Sequence, residues 1–160
     1  MSLPKSAKVP PLSSADLERV RSGHASGKGA NRSPGLIAGA VIAHSGRVLL
    51  IRRSSPAGAL LWTFPSGKLV PGETAADAAA REAAEEAGVS VAPLVVLGSR
   101  VHPATGWRVV YVACRLLDGT AHVASPREVA EVRWVRPAEL DGFVPGGVYP
   151  PVRGWLEALG

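Results

Sequence analysis

Three glutamates, Glu82, Glu85 and Glu86, fall at i, i+3 and i+4 within an alanine-rich stretch. On an α-helix this spacing sends all three side chains from one face. Like charges so placed repel by roughly 0.2–0.5 kcal/mol per pair. Arg81 reaches Glu85 at i+4 and relieves part of that repulsion, which leaves acidic neighbours uncompensated. A hard divalent cation would turn the repulsion into attraction. Mg²⁺ prefers oxygen ligands and is held by a few carboxylates together with substrate phosphates, with Mn²⁺ as a substitute. The plainer alternative is a solvated acidic helix face, the commoner origin of a charge cluster.

The element that positions these carboxylates is predicted over residues 75–87. Thr74 is an N-cap and Asp77, three residues on, makes a variant of the capping box at the positive end of the helix dipole. Eight alanines give high helix propensity and let the helix approach a sheet closely. Gly88 is expected as a left-handed cap. Before this helix, Leu36–Ala43 and Arg47–Ile51 are apolar and β-branched and are split by His44-Ser45-Gly46, a hairpin signal. Trp62–Phe64 is a short extended piece halted by Pro65. After the helix, Val91–Val101, Trp107–Leu117 and Glu131–Val135 read as strands, and Pro150 or Pro151 opens a last helix through Leu159. This order predicts an α/β sandwich with a mixed sheet.

Composition bounds the setting. Hydrophobic residues make up 46% and charged residues 19% of 160 residues, the balance of one globular domain with a real core. No apolar run is long enough for a membrane span, and no signal-peptide core is expected. The single cysteine, Cys114, suits a reducing, cytoplasmic location. It alternates with apolar strand residues and is expected to be packed. The net charge of +5 is concentrated in residues 1–35, which carry +4 and are rich in Pro, Ser and Gly. These residues read as a flexible basic leader with a short helix at 14–22, and the domain is expected over 36–160. A near-neutral body argues against a nucleic-acid partner and leaves the leader as its only support.

The acidic helix belongs to a longer pattern. Gly67 is followed after five residues by Glu73, seven residues later come Arg81-Glu82, and then Glu85-Glu86, Gly88 and the aliphatic Val89. Each of these positions matches the Nudix box, and the chain resembles the Nudix hydrolases, in particular their MutT-like group. The box spans residues 67–89, and a looser resemblance runs over 36–159. The resemblance implies a Nudix-type α/β/α sandwich with a mixed β-sheet between helices and the box as loop-helix-loop. It assigns Glu82, Glu85 and Glu86 as metal-binding glutamates and Arg81 as the residue that orients them. Glu73 becomes the supporting loop glutamate, with an indirect role at the metal. Gly67 becomes the residue whose backbone approaches metal or substrate. One departure is Ser66, where the family often has a second glycine. A position requiring φ > 0 would disfavour serine.

The reaction so implied is attack of water on a pyrophosphate phosphorus of a nucleoside triphosphate or other nucleoside diphosphate derivative. A base is needed; Glu82 is the first candidate, Glu128 the second and Glu131 a weaker alternative. Arg53 and Lys68 could hold phosphate oxygens. Phe64 extends the resemblance to the MutT protein, and Tyr149 stands near the place of its base-reading asparagine. A tyrosine can stack on a base but cannot make the paired amide contacts, which counts against oxidised-guanine specificity. Trp62, His102 and Trp107 are candidates for a base pocket, with core or sheet packing expected for the tryptophans and a loop position for His102. Competing classes are an ADP-ribose or nucleotide-sugar pyrophosphatase and a non-catalytic nucleotide sensor; the second would usually lose box glutamates. Monomer and homodimer are both left open.

Overall fold

The computed structural model describes residues 35–57, 60–144 and 146–159; the basic leader and the short helix expected in it lie outside them. The chain runs β1 (Leu36–His44), β2 (Arg47–Ala57), β3 (Leu60–Thr63), β4 (Ser66–Lys68), α1 (Ala75–Ala87), β5 (Ser90–Val101), β6 (Arg108–Asp118) and β7 (Val129–Val135). A 3-10 turn at Pro137–Glu139 leads into α2 (Leu140–Phe143), and α3 (Pro150–Leu159) follows. The expected strands and both long helices are present. Strand β4 and the turn–α2 segment were not expected, because three and four residues are too few to show a period.

The strands form one mixed sheet in the order β3-β2-β1-β6-β5. Strands β1 and β6 are parallel, and the other pairings are antiparallel. The hairpin turns at Ser45-Gly46, both with positive φ. Strands β1 and β2 pair only beside this turn, at Ala43–Val48 and His44–Arg47. Beyond it they splay. Strand β4 takes the edge of β1 so released and β3 takes that of β2, while β7 pairs along the opposite edge of β2. This fork is where the candidate site lies.

Strict alternation along the strands divides the core in two. Ala38, Ala40, Ile42, Val110, Val112 and Cys114 face α1. Val41, Val48, Leu50, Val109, Tyr111 and Ala113 face the side covered by α2 and α3, where Leu140, Val152, Trp155 and Leu156 pack. The expected α/β/α sandwich is therefore the observed one. Cys114 is fully buried, as expected, and burial pushes its thiol pKa up to about 12.

Helix α1 touches the sheet through methyl groups: Ala78, Ala79, Ala83 and Ala87 are wholly buried. Its caps match the sequence reading. Thr74 Oγ1 accepts from the Asp77 N–H at 3.1 Å, and Gly88 takes φ 68°. Replacing Ala79 by leucine forces three more heavy atoms into closed space and should cost about 1–3 kcal/mol. The same change at exposed Ala84 should stay within about 0.5 kcal/mol. Urea unfolding of the two variants checks this contrast.

Candidate active site

The site is built where α1 crosses β4. Of the three helix glutamates, Glu82 and Glu86 are buried, at 7% and 3% exposure, while Glu85 is exposed. Burial is possible because of what stands opposite. A Cβ on Gly67 would lie 2.1 Å from Glu82 Oε1, so any other residue here would push this carboxylate out of its place against the strand. The neighbouring Ser66 N–H donates to Glu86 Oε1 at 2.7 Å. Ser66 has no positive φ and pairs as ordinary extended backbone with Gly39, so the strain considered for serine at this position does not arise.

Arg81 ties the loop to the helix. Its Nε and Nη2 donate to the two oxygens of Glu73, at 2.8 and 2.9 Å, and Nη2 also donates to Lys68 O at 3.0 Å. Its Nη1 donates to Glu82 at 2.8 Å and to Glu85 at 3.2 Å. Glu73 further accepts the Val70 N–H at 3.1 Å. The Arg81 hydrogen bonds hold the Glu73 carboxyl below its usual range, and Glu73 in turn raises the Arg81 pKa. Desolvation has the opposite effect on the helix acids. It raises Glu82 despite Arg81, and it pushes Glu86 up to about 8, with the Glu82 and Glu128 charges adding to the rise.

Glu128 lines the same cleft as this pair, just before β7, where its carbonyl accepts the Ser54 N–H at 2.9 Å. Arg53, Lys68 and Arg127 share the cleft wall with Glu82, Glu86 and Glu128. Arg127, next to Glu128 in the sequence, was not among the expected site residues. Glu131, the weaker base candidate, is not in this wall: it pairs with Arg52 at 3.4 Å and Arg133 at 2.5 Å.

The cleft continues into a second cavity of about 420 Å³, whose wall also includes Arg53, Ser66 and Lys68. Phe64 and Tyr149 both border it. Tyr149 stacks on Tyr111, with centroids 5.2 Å apart, and its hydroxyl donates to Ser99 O at 3.2 Å. Trp62, His102 and Trp107 line it as well. Packing was the favoured expectation for the two tryptophans and the base pocket the alternative; both line the cavity. Lys68 Nζ lies 4.6 Å from the centre of a Trp107 ring. Sequence reasoning missed Arg100 and Tyr111 as pocket residues. An arginine inside the otherwise apolar β5 was the available signal.

The donor set suits a hard cation: buried carboxylates, a backbone cradle that a Cβ would fill, and cationic side chains opposite. Among the described residues no three ligating side chains already form a cation cage. Arg81 pairs with both Glu82 and Glu85 and so offsets part of the repulsion between them.

Comparison with known proteins agrees with this geometry. Residues 34–159 match the model of the NUDIX domain. A Mycobacterium tuberculosis protein provisionally named 8-oxo-dGTP diphosphatase 2 is 35% identical over 130 residues, covering 78% of this chain and 86% of the relative. A second M. tuberculosis protein, provisionally named mutator protein MutT4, is 39% identical over 101 residues; the match covers 57% of this chain but only 39% of that protein's length. Among solved structures, an ADP-ribose pyrophosphatase of Streptococcus suis superposes with a TM-score of 0.62 at 25% identity, over 78% of this chain and 91% of its own. With the box glutamates, the sandwich and nearly the whole described chain in agreement, the protein belongs to the Nudix hydrolase family.

Proposed function

We propose that the protein hydrolyses a pyrophosphate bond in a nucleoside triphosphate or another nucleoside diphosphate derivative, with Mg²⁺ as the preferred metal and Mn²⁺ as a substitute. The observation that carries this reading is the cleft itself. Buried Glu82 and Glu86 lie on one side, Arg53, Lys68 and Arg127 line the same wall, and a cavity of nucleoside size adjoins it. The 8-oxo-dGTP diphosphatase name of the M. tuberculosis relative supports a nucleotide substrate. No helix among the described residues is long and apolar enough to cross a membrane. A cytoplasmic enzyme working on free nucleotides fits the single buried cysteine, and residues 1–35 serve as a leader outside the catalytic domain.

Nudix hydrolases generally need divalent metal. Here Glu82, Glu85 and Glu86 would hold it, with the Gly67 backbone close by and Glu73 acting through Arg81. Bound there, the cation would neutralise phosphate charge and favour a nucleophilic water. Arg53 and Lys68 hold phosphate oxygens and orient the diphosphate. Arg81 keeps Glu82 and Glu85 in register with the loop. Water attacks phosphorus, the bridging P–O bond breaks, and the water's proton passes to a carboxylate. Glu82 is the first choice for that base, because it lies beside the place the metal would occupy, and Glu128 in the same cleft is the second.

Release of phosphate or pyrophosphate from a nucleotide panel with Mg²⁺ tests the reading directly. Glu86→Gln should lower turnover by about a hundredfold or more with an unchanged circular dichroism spectrum. Unaltered turnover would remove Glu86 from the metal site.

The Glu86 pKa also predicts a pH dependence of stability. Folding raises it from 4.5 to about 8. Below 4.5 the group is protonated in both states and costs nothing. As pH rises through this window the unfolded chain ionises first, so stability falls towards pH 8. Metal-free protein should therefore melt at progressively lower temperature from pH 5 to 8, and Glu86→Gln should flatten that slope. Added Mg²⁺ should restore the wild-type melting temperature at pH 8.

Glu128→Gln separates the two bases. If Glu128 takes the proton, the rate at saturating metal falls by about 10²–10⁴ and the acidic limb of the pH–rate profile disappears. A wild-type profile in that variant assigns the role to Glu82.

A further inference from the structure

The cavity beside the diphosphate cleft has an unusual inventory of polar groups. Among the described residues that line it there is no Asp, Glu, Asn or Gln. Its charged side chains are Arg53, Lys68 and Arg100, and the first two belong to the diphosphate end, since they also line the cleft. Arg100 is therefore the one cationic group of the nucleoside end.

Arg100 is held in place along one edge of its guanidinium. Nε donates to the Tyr111 hydroxyl at 3.2 Å, and Nη2 donates to Gly147 O at 3.5 Å. The guanidinium carbon lies 5.8 Å from the Tyr111 ring centre and 5.5 Å from that of Tyr149. The two rings are themselves stacked, so the arginine rests on a rigid aromatic support. Gly98 makes room for this support: a Cβ there would lie 2.7 Å from the Tyr149 hydroxyl. The edge so engaged is the Nε/Nη2 side. The end-on pair, one N–H on Nη1 and one on Nη2, has no partner among the described residues.

His102 adds a donor. Its Nδ1 accepts the Ala104 N–H at 3.1 Å, so the neutral ring carries its proton on Nε2. Burial, helped by Arg100, lowers the His102 pKa and keeps the ring neutral.

Resting on the function proposed above, we infer that Arg100 is the specificity-determining residue of the nucleoside pocket, selecting a base edge that presents two neighbouring hydrogen-bond acceptors. A guanidinium fork matches two adjacent acceptors and repels a donor. Guanine offers such a pair at O6 and N7, and cytosine at N3 and O2. Adenine places an amino group beside each ring acceptor of its exposed edges. Uracil and thymine place N3–H between their two oxygens. With no side-chain carboxylate or carboxamide in the wall, the adenine amino group also lacks a strong acceptor. Oxidation of guanine at C8 puts a proton on N7 and leaves only one arm of the fork matched.

The test measures binding and turnover separately. Calorimetric titration of the full-length, metal-free protein with GMP, CMP, AMP and UMP should show GMP or CMP, or both, binding about tenfold tighter than AMP and UMP. Which of the two binds identifies the base. Arg100→Lys keeps the charge but loses the fork, and should compress those ratios to within about threefold with an unchanged melting temperature. 8-oxo-GMP should bind less tightly than GMP. AMP or UMP binding as tightly as both GMP and CMP would overturn the inference, as would ratios that survive in Arg100→Lys. Hydrolysis of the four triphosphates with Mg²⁺ is run alongside. Selective binding without hydrolysis of any nucleotide defeats the proposed activity and leaves the pocket assignment standing; hydrolysis without selective binding does the reverse.

Discussion

The guanidinium of Arg81 is the interaction on which the rest of the site depends. It meets three carboxylates and a backbone carbonyl within 3.2 Å, and these come from both the loop and the helix. A buried carboxylate without a partner is costly, and here Glu82 is buried next to a second buried acid. Arg81 offsets that cost for Glu82. The backbone N–H of Ser66 does so in part for Glu86. The same guanidinium fixes the loop relative to the helix, because Glu73 and Lys68 O are bound through its other nitrogens. Position and charge compensation are thus supplied by one side chain.

Around this knot the sheet supplies space. Had β1 and β2 stayed paired along their length, β4 would have no edge to join and no cleft would open. Their separation after two residue pairs lets β4 bring Gly67 against Glu82, and β7, paired along the other edge of β2, sets Glu128 at its start beside the cleft. The diphosphate cleft and the aromatic cavity are then two ends of one groove, joined at Arg53, Ser66 and Lys68.

Much of this was legible in the residues. The helix and both its caps followed from Thr74, the alanine run and Gly88, because capping and propensity are local. The roles of Glu73 as a supporting loop glutamate and of Arg81 as the orienting residue came from a spacing pattern shared with a family; that the two pair in a two-bond fork is seen only in the structure. Other features were not legible. Strand β4 is three residues long and exists because β1 has a free edge, which is a tertiary fact. Trp62 and Trp107 were expected to be packing residues, since an aromatic side chain in an extended segment carries the same signal on a core face and on a cavity wall. Arg100 stood out only as a charge within an apolar strand, and its role depends on Tyr111 and Tyr149, which come from elements far apart in sequence.

The methyl-lined contact between α1 and the sheet, together with Arg81, bears on how this molecule is assembled. Its two apolar cores are made of side chains from the sheet and the helices, and Arg81 sets a counter-charge beside Glu82 and Glu85. Small metal-stapled domains reach their native state only when the metal arrives. In this chain neither apolar core includes a carboxylate of the box, so the residues that hold the sandwich together and those that would bind a cation are separate sets.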